Sequence, residues 1–145
     1  MPQYTASARK TNSSLQVDVH SRGIHTTIDE PASSGGTNTG MNPVELELCA
    51  LGSSLQDTAT KLASKYDFNY QELNIDLEGD LDPAGFMGDP DIRNGFQEIR
   101  YKLVFKTSES QKKSQEFADK MKQNCPIEQV LSNGIPVKLN GIEIN

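Results

Sequence analysis

The 145-residue sequence is poor in cysteine, in aromatic side chains and in basic charge. Its two cysteines are too few for a small secreted domain held together by disulfides. Its 14 basic and 20 acidic side chains give a formal net charge of -6, so the basic excess that binds nucleic acid or an anionic membrane surface is missing. No apolar run approaches the ~20 residues that span a bilayer, and no signal-peptide core follows the first residues. We therefore expect a cytoplasmic protein without a nucleic-acid or membrane partner.

The pattern of apolar residues predicts an α+β fold in a single domain of residues 1–145. Apolar and polar side chains alternate at 4–8, 15–19 and 24–28, which predicts an antiparallel β-meander at the N-terminus. The same alternation predicts two further strands at 73–77 and 99–105. A last strand or hairpin is expected at 135–144.

A long helix is predicted from residue 43 to about residue 65, because Asn42-Pro43 is a typical helix start. Apolar residues follow at steps of three and four: Leu48, Leu51, Leu55, Ala59, Leu62 and Tyr66. Further apolar residues lie outside this stripe, which is typical of a helix buried between layers. Two C-terminal helices are predicted, one starting at a capping box of Ser108 and Gln111 and one from Pro126 to Leu131.

The two cysteines have different predicted roles. Cys125 precedes Pro126 and would cap a helix, where free N–H groups and the helix dipole favour a thiolate, and Glu128 would complete a capping box. The alternative for Cys125 is a small buried residue that only caps the helix. Cys49 lies among apolar residues of the long helix, which predicts a buried structural cysteine.

No complete metal or cofactor site is recognisable. His20 and His25 flank a turn and could face each other across a hairpin, but two imidazoles do not complete a zinc site and no third ligand has a recognisable spacing. The acidic run between residues 76 and 91 lacks the EF-hand arrangement and is predicted to be a solvated loop. We therefore predict no metal and no cofactor.

Six short motifs follow one another along the chain: Asp29-Glu30-Pro31, Gly35-Gly36, GMNPVEL at 40–46, Ala50-Leu51-Gly52-Ser53, GFQEI at 95–99 and Cys125-Pro126-Ile127. In their order and spacing, the stretch from about residue 4 to residue 137 resembles the OsmC/Ohr family. The resemblance implies an OsmC-like fold that forms an intertwined homodimer, with a long buried central helix and sites at the dimer interface.

The resemblance also implies a thiol peroxidase that reduces organic hydroperoxides with an external thiol reductant. In the family, a peroxidatic cysteine on the central helix becomes a sulfenic acid, and a resolving cysteine in the Cys-Pro motif condenses with it to a disulfide. Cys125 matches the resolving position, whereas Ser54 occupies the peroxidatic position. Cys49 cannot substitute for it, because five residues place it about 140° around the helix from Ser54.

Two further features of the family are altered. The carboxylate ten residues before the peroxidatic position corresponds to Val44, and Glu45 is displaced from it by one residue. The Ohr-type arginine of the first hairpin would lie at 12–14, where there is none, and Arg22 lies at the other turn. The candidate site residues are therefore Ser54, Cys125 and Glu45.

These departures leave several hypotheses open. The first hypothesis is that the chain has lost the peroxidase reaction and keeps a pocket for a small organic hydroperoxide or apolar ligand at the dimer interface. Alternatively, the natural protein is an active peroxidase whose nucleophilic cysteine was changed to serine by an introduced mutation. In a third hypothesis, Cys125 acts as the single redox cysteine and an external thiol resolves it. Outside the family, the remaining hypothesis is a small α+β dimer with a binding or interaction role.

Overall fold

The computed structural model describes residues 1–145 as two compact units, Met1–Cys49 and Ala50–Asn145. In the first unit, β1 (Ser7–Lys10), β2 (Val17–Ser21) and β3 (Ile24–Ile28) form an antiparallel sheet in chain order. The predicted β-meander is therefore confirmed. A two-residue turn joins β2 to β3, and both of its residues, Arg22 and Gly23, have positive φ angles of 44° and 81°. Such turns follow the natural twist of a hairpin.

A turn of 3₁₀ helix, Ala32–Ser34, precedes the long helix α1 (Pro43–Leu62). Helical hydrogen bonds continue beyond Leu62, and Tyr66 N–H still donates to the Leu62 carbonyl. Asp67, with φ of 48°, then ends the helical path, because Phe68 N–H turns back to the Ala63 carbonyl. This is a Schellman arrangement with aspartate in the left-handed position, and it lies close to the predicted helix end.

The second unit contains a two-stranded antiparallel sheet, β4 (Glu72–Leu81) and β5 (Phe96–Lys106), and the short helix α2 (Pro83–Phe86) in the connection between them. Two helices follow, α3 (Gln111–Asn124) and α4 (Pro126–Asn133). The α+β class agrees with the prediction, as does the order of elements up to α4. None of the helices is both long enough and apolar enough to cross a membrane.

The core of the second unit is built on α1 and an aromatic cluster. The Phe68 ring stacks on Phe117 at a centroid distance of 4.3 Å and meets Phe105 edge-on at 5.2 Å. The buried members of this core are Leu51, Leu55, Ala59, Phe68, Leu73, Phe117, Met121 and Cys125. Burial of apolar surface is the main stabilising contribution in such a cluster.

Three local predictions are wrong. Ser110 rather than Ser108 caps α3, and its hydroxyl accepts the Lys113 N–H. Residues 134–145 form no strand, and apolar side chains such as Val137 remain exposed because no other strand pairs with this segment. Cys49 is exposed rather than buried, because the buried residues of α1 begin at Leu51.

Candidate functional site

Cys125 and Ser54 meet in the core of the second unit. Cys125 is fully buried at the junction of α3 and α4, where its extended backbone (φ -83°, ψ 114°) separates the two helices. Its thiol donates a hydrogen bond to the Ser54 hydroxyl oxygen, with Sγ and Oγ 3.2 Å apart. The fold therefore brings together the two positions that the family resemblance pairs, although they are 71 residues apart in the sequence.

The first turn of α4 does not hold the Cys125 sulfur as the sequence pattern predicts. Cys125 is the N-cap residue, but its side chain accepts no hydrogen bond from the helix. Pro126 at the next position has no N–H to offer. The thiol is therefore placed by its contact with Ser54 and by the surrounding core, and not by the N–H groups of the helix.

A buried carboxylate lies one turn after the thiol. Glu128 is 7 % exposed and does not cap α4 through a capping box. Its oxygens accept long hydrogen bonds from Ser132 Oγ at 3.3 Å and Gln129 Nε2 at 3.4 Å, and Lys122 Nζ lies 4.0 Å away. A buried carboxyl group with such long contacts to its partners is unusual, because burying a polar group is costly unless good hydrogen bonds compensate for it.

Tyr101 on β5 is the residue of this site that sequence reasoning missed. Burial raises the pKa of its phenol, and Coulombic interactions with Glu128 and Cys125 raise that pKa further. Only its place in the alternating pattern of β5 indicated an inward side chain. The site thus combines a thiol, a hydroxyl, a carboxylic group and a phenol within one unit.

Gly52 allows the central helix to lie close to the sheet. A Cβ at this position would lie 2.9 Å from Leu77 Cδ1 on β4, which is closer than side-chain carbons normally approach. The next residue, Ser53, is exposed and its hydroxyl donates to the Ala50 carbonyl. Ser54 therefore differs from its neighbour in reaching Cys125, because adjacent residues of a helix point in different directions.

Glu45, the third predicted site residue, lies in the first unit and has a structural use there. Its carboxylate accepts the Asn42 N–H at 2.8 Å, and its own N–H donates to the Asn42 side-chain oxygen at 2.8 Å. This reciprocal pair is a capping box at the start of α1. A catalytic role for Glu45 stays a prediction.

Asp29 organises the loop before α1. It is 1 % exposed, and its carboxylate accepts hydrogen bonds from the N–H groups of Glu30, Thr37 and Thr39 and from both threonine hydroxyls. The hydroxyls of Thr37 and Thr39 hold the pKa of Asp29 well below its usual value of 3.8. Gly36 is needed beside it, because a Cβ there would collide with the Glu30 carbonyl.

Comparison with known proteins places this geometry in a family. Residues 36–140 match the family model described as OsmC-like protein. The chain belongs to the OsmC-like protein family. No curated protein sequence matches it.

Several solved OsmC-like structures share the fold. An OsmC-like protein from Mycoplasma pneumoniae superposes with a TM-score of 0.78 at 21% identity, over 91% of this chain and 89% of that one. An organic hydroperoxide resistance protein OsmC from Legionella pneumophila gives 0.70 at 15% identity, over 95% of both chains. An organic hydroperoxide resistance protein from Elizabethkingia anophelis gives 0.68 at 14% identity, over 92% of this chain and 90% of that one. At these identities the OsmC-like fold is what the structures have in common with this chain.

Proposed function

We propose that this OsmC-like chain forms a homodimer and has lost the two-thiol reduction of organic hydroperoxides. The observation that carries the proposal is the 3.2 Å contact between Cys125 Sγ and Ser54 Oγ. It supports the pairing of these two positions that the family resemblance implies, and one of the two groups is a hydroxyl. The relatives named as organic hydroperoxide resistance proteins support the origin of the fold in that chemistry.

The expected reaction needs sulfur at both positions. A peroxidatic thiolate attacks one peroxide oxygen, the O–O bond breaks, and the alcohol leaves while the sulfur becomes a sulfenic acid. The resolving thiol then displaces water to form a disulfide, and an external thiol reduces it. Ser54 can neither carry the sulfenic acid nor join Cys125 in a disulfide.

A reaction through Cys125 alone is disfavoured by its burial. Its side chain has no exposed surface, so neither a hydroperoxide nor an external thiol has access to the sulfur. Reactive cysteines are at least partly exposed. We propose that binding of a small organic hydroperoxide or apolar molecule at the dimer interface is the function that remains.

Peroxidase measurements on the unaltered chain test the proposal directly. We expect the chain to consume cumene hydroperoxide in the presence of dithiothreitol no faster than its Cys125→Ala variant. Rapid turnover that disappears in Cys125→Ala would contradict the proposal and indicate a one-cysteine enzyme.

Restoring the missing sulfur tests the geometry. A thiol introduced by Ser54→Cys would lie close to Cys125 Sγ, and a disulfide forms at an S–S distance of about 2.05 Å. We expect hydroperoxide to oxidise this variant to an intramolecular disulfide, seen by mass spectrometry as the loss of two hydrogens. The matched control is Ser53→Cys, whose thiol would be exposed and one residue away, and which we expect to form no bond with Cys125.

Turnover by Ser54→Cys separates the causes of inactivity. Recovered peroxidase activity would show that serine alone blocks the reaction. Disulfide formation without turnover would instead implicate Val44 and the missing arginine. If Ser54→Cys forms no disulfide while Cys125 stays reduced and the protein stays folded, the assignment of these two positions as a pair is wrong.

A further inference from the structure

The hairpin of β2 and β3 brings the two histidines of the chain together. His20 and His25 are direct partners in the antiparallel register, next to the turn at Arg22 and Gly23. Their rings stack with centroids 4.5 Å apart and planes inclined by 23°. The prediction that they face each other across a hairpin is confirmed.

Asp18 supplies a third candidate ligand, a carboxylate, on the same face of the hairpin. It precedes His20 by two residues in β2, and side chains two apart in a strand lie on one face. Its Oδ1 is 3.0 Å from His25 Nδ1, and its Oδ2 is 3.5 Å from His20 Nδ1. Asp18 could not be recognised as a ligand from the sequence spacing, because strand pairing and not a linear motif assembles this cluster.

One nitrogen of this cluster is left without a hydrogen bond. Nδ1 of His20 is screened from solvent, and its 3.5 Å approach to Asp18 does not have hydrogen-bond geometry. A buried polar atom without a partner costs free energy. A metal ion on the same side as the Asp18 carboxylate would use the lone pair of this nitrogen.

We propose that Asp18, His20 and His25 bind a divalent first-row transition-metal ion. The candidate ligand atoms lie within 4.8 Å of one another. Ligands about 2.0–2.1 Å from a tetrahedral Zn²⁺ lie about 3.3 Å apart, and the two carboxylate–imidazole distances of 3.0 and 3.5 Å lie on either side of that value. Closure of the site therefore requires the two stacked rings to turn, so that the screened Nδ1 of His20 and a nitrogen of His25 point at one ion.

The chemistry of the three ligands indicates the class of metal. Imidazole nitrogen favours zinc, copper, nickel and iron, whereas calcium and magnesium prefer ligand sets made of oxygen. Three protein ligands leave at least one position for water. Asp18 and His20 are half-buried and His25 is exposed, so an ion can reach the site from solvent.

Zinc titration of the tag-free, EDTA-treated chain tests the proposal by calorimetry. We expect one Zn²⁺ per chain, and Asp18→Asn, His20→Ala and His25→Ala should each weaken binding at least about 10-fold, as even the loss of a residue that supports a ligand does. Asp76→Asn is the control for a carboxylate, because Asp76 is exposed on β4. Cys49→Ser is the control for the exposed thiol.

The controls should bind Zn²⁺ as the unaltered chain does. Absence of Zn²⁺ binding up to millimolar concentration would overturn the proposal, and so would an affinity of His20→Ala or His25→Ala equal to that of the unaltered chain.

A second measurement needs no variant and is therefore independent of the folding of any mutant. The chain has only two histidines, so ¹⁵N-detected imidazole spectra report this site alone. Zn²⁺ is expected to shift the resonances of both rings at one equivalent. Shifts of neither ring, or of only one, would contradict joint coordination. Because the peroxidase experiments concern Ser54 and Cys125, either proposal can fail while the other stands.

Discussion

At the scale of single residues, a buried carboxylate that is fully hydrogen-bonded distinguishes this protein. Asp29 shows how a carboxylate is kept charged inside a loop, since five hydrogen-bond donors surround it and Thr37 and Thr39 provide four of them. Hydrogen bonds to a charged carboxylate lower its pKa, because they stabilise only the ionised form. Asp29 therefore links the conformation of the loop before α1 to pH.

Replacing Asp29 should destabilise the protein at neutral pH and remove part of its acid sensitivity. The pKa of Asp29 is lower in the folded state than its usual 3.8. Its stabilising contribution is therefore complete above the unfolded pKa and is lost as the pH falls toward the folded pKa. We expect Asp29→Asn to lower the free energy of unfolding at pH 7, and this difference should shrink below about pH 4.

Urea unfolding followed by circular dichroism from about pH 2 to pH 7 measures this difference above and inside the window where linkage acts, which lies below about pH 4. Asp91→Asn, in an exposed loop, is the matched control and should change little. A difference between Asp29→Asn and the unaltered chain that grows toward low pH would contradict the sign of the linkage.

At the scale of elements, the helix ends are defined by specific side chains. The start of α1 is set by the reciprocal bonds of Asn42 and Glu45, and that of α3 by Ser110. The Asn-Pro pair predicted the first start correctly, whereas the second was misplaced by two residues because Ser108 and Ser110 both offer a hydroxyl. Local sequence signals thus locate a helix more reliably than its terminal residue.

Removing the cap should cost α1 a measurable part of its stability. Asn42→Ala deletes the side-chain acceptor of the Glu45 N–H, and loss of an N-cap costs about 1 kcal/mol. We expect a decrease of this size in the free energy of unfolding, measured by urea denaturation. The exposed Glu47→Ala is the control, and it should change stability by much less.

A double-mutant cycle with Glu45→Ala would test the reciprocity of the capping box. Asn42→Ala breaks only the bond from the Glu45 N–H, and Glu45→Ala breaks only the bond from the Asn42 N–H. If each bond holds the other in place, the losses of the two single variants should sum to more than the loss of the double variant. Full additivity would indicate that the two residues act independently.

At the scale of the whole molecule, apolar surface remains uncovered in the single chain. The strands β1 and β3 expose most of their side chains, and the apolar ones among these are Ala8 and Ile24. Large apolar side chains of the C-terminal segment are exposed as well: Ile135, Val137, Leu139, Ile142 and Ile144. Exposed apolar surface of this kind is typical of protein–protein interfaces, and it agrees with the homodimer that the family resemblance implies.

We therefore expect a dimer in solution. Sedimentation equilibrium should give twice the mass of the chain over a wide range of concentration, because intertwined subunits bury a large apolar interface. A monomer at all concentrations tested would contradict the proposed dimer and the placement of a ligand at its interface.

Patterns along the sequence predicted some strands correctly and failed for others. Alternation in the N-terminal segments and in β4 and β5 predicted the strands, because one face of each was apolar. The same alternation at 135–144 was misleading, since a strand requires a neighbour and this segment has none in the chain. Cys49 was misjudged for a similar reason, because apolar neighbours in sequence do not reveal where burial of a helix begins.

The two cysteines show which properties of this protein follow from residue type and spacing and which depend on the folded chain. The order of motifs was sufficient for the α+β class, the family and the serine at position 54, because these are properties of residue type and spacing. Only the tertiary structure decided that Cys125 is buried against Ser54 and that Asp18 joins His20 and His25. The physical reason is that hydrogen bonds and metal ligation act over about 3 Å in space, and chain folding alone brings distant residues within that distance.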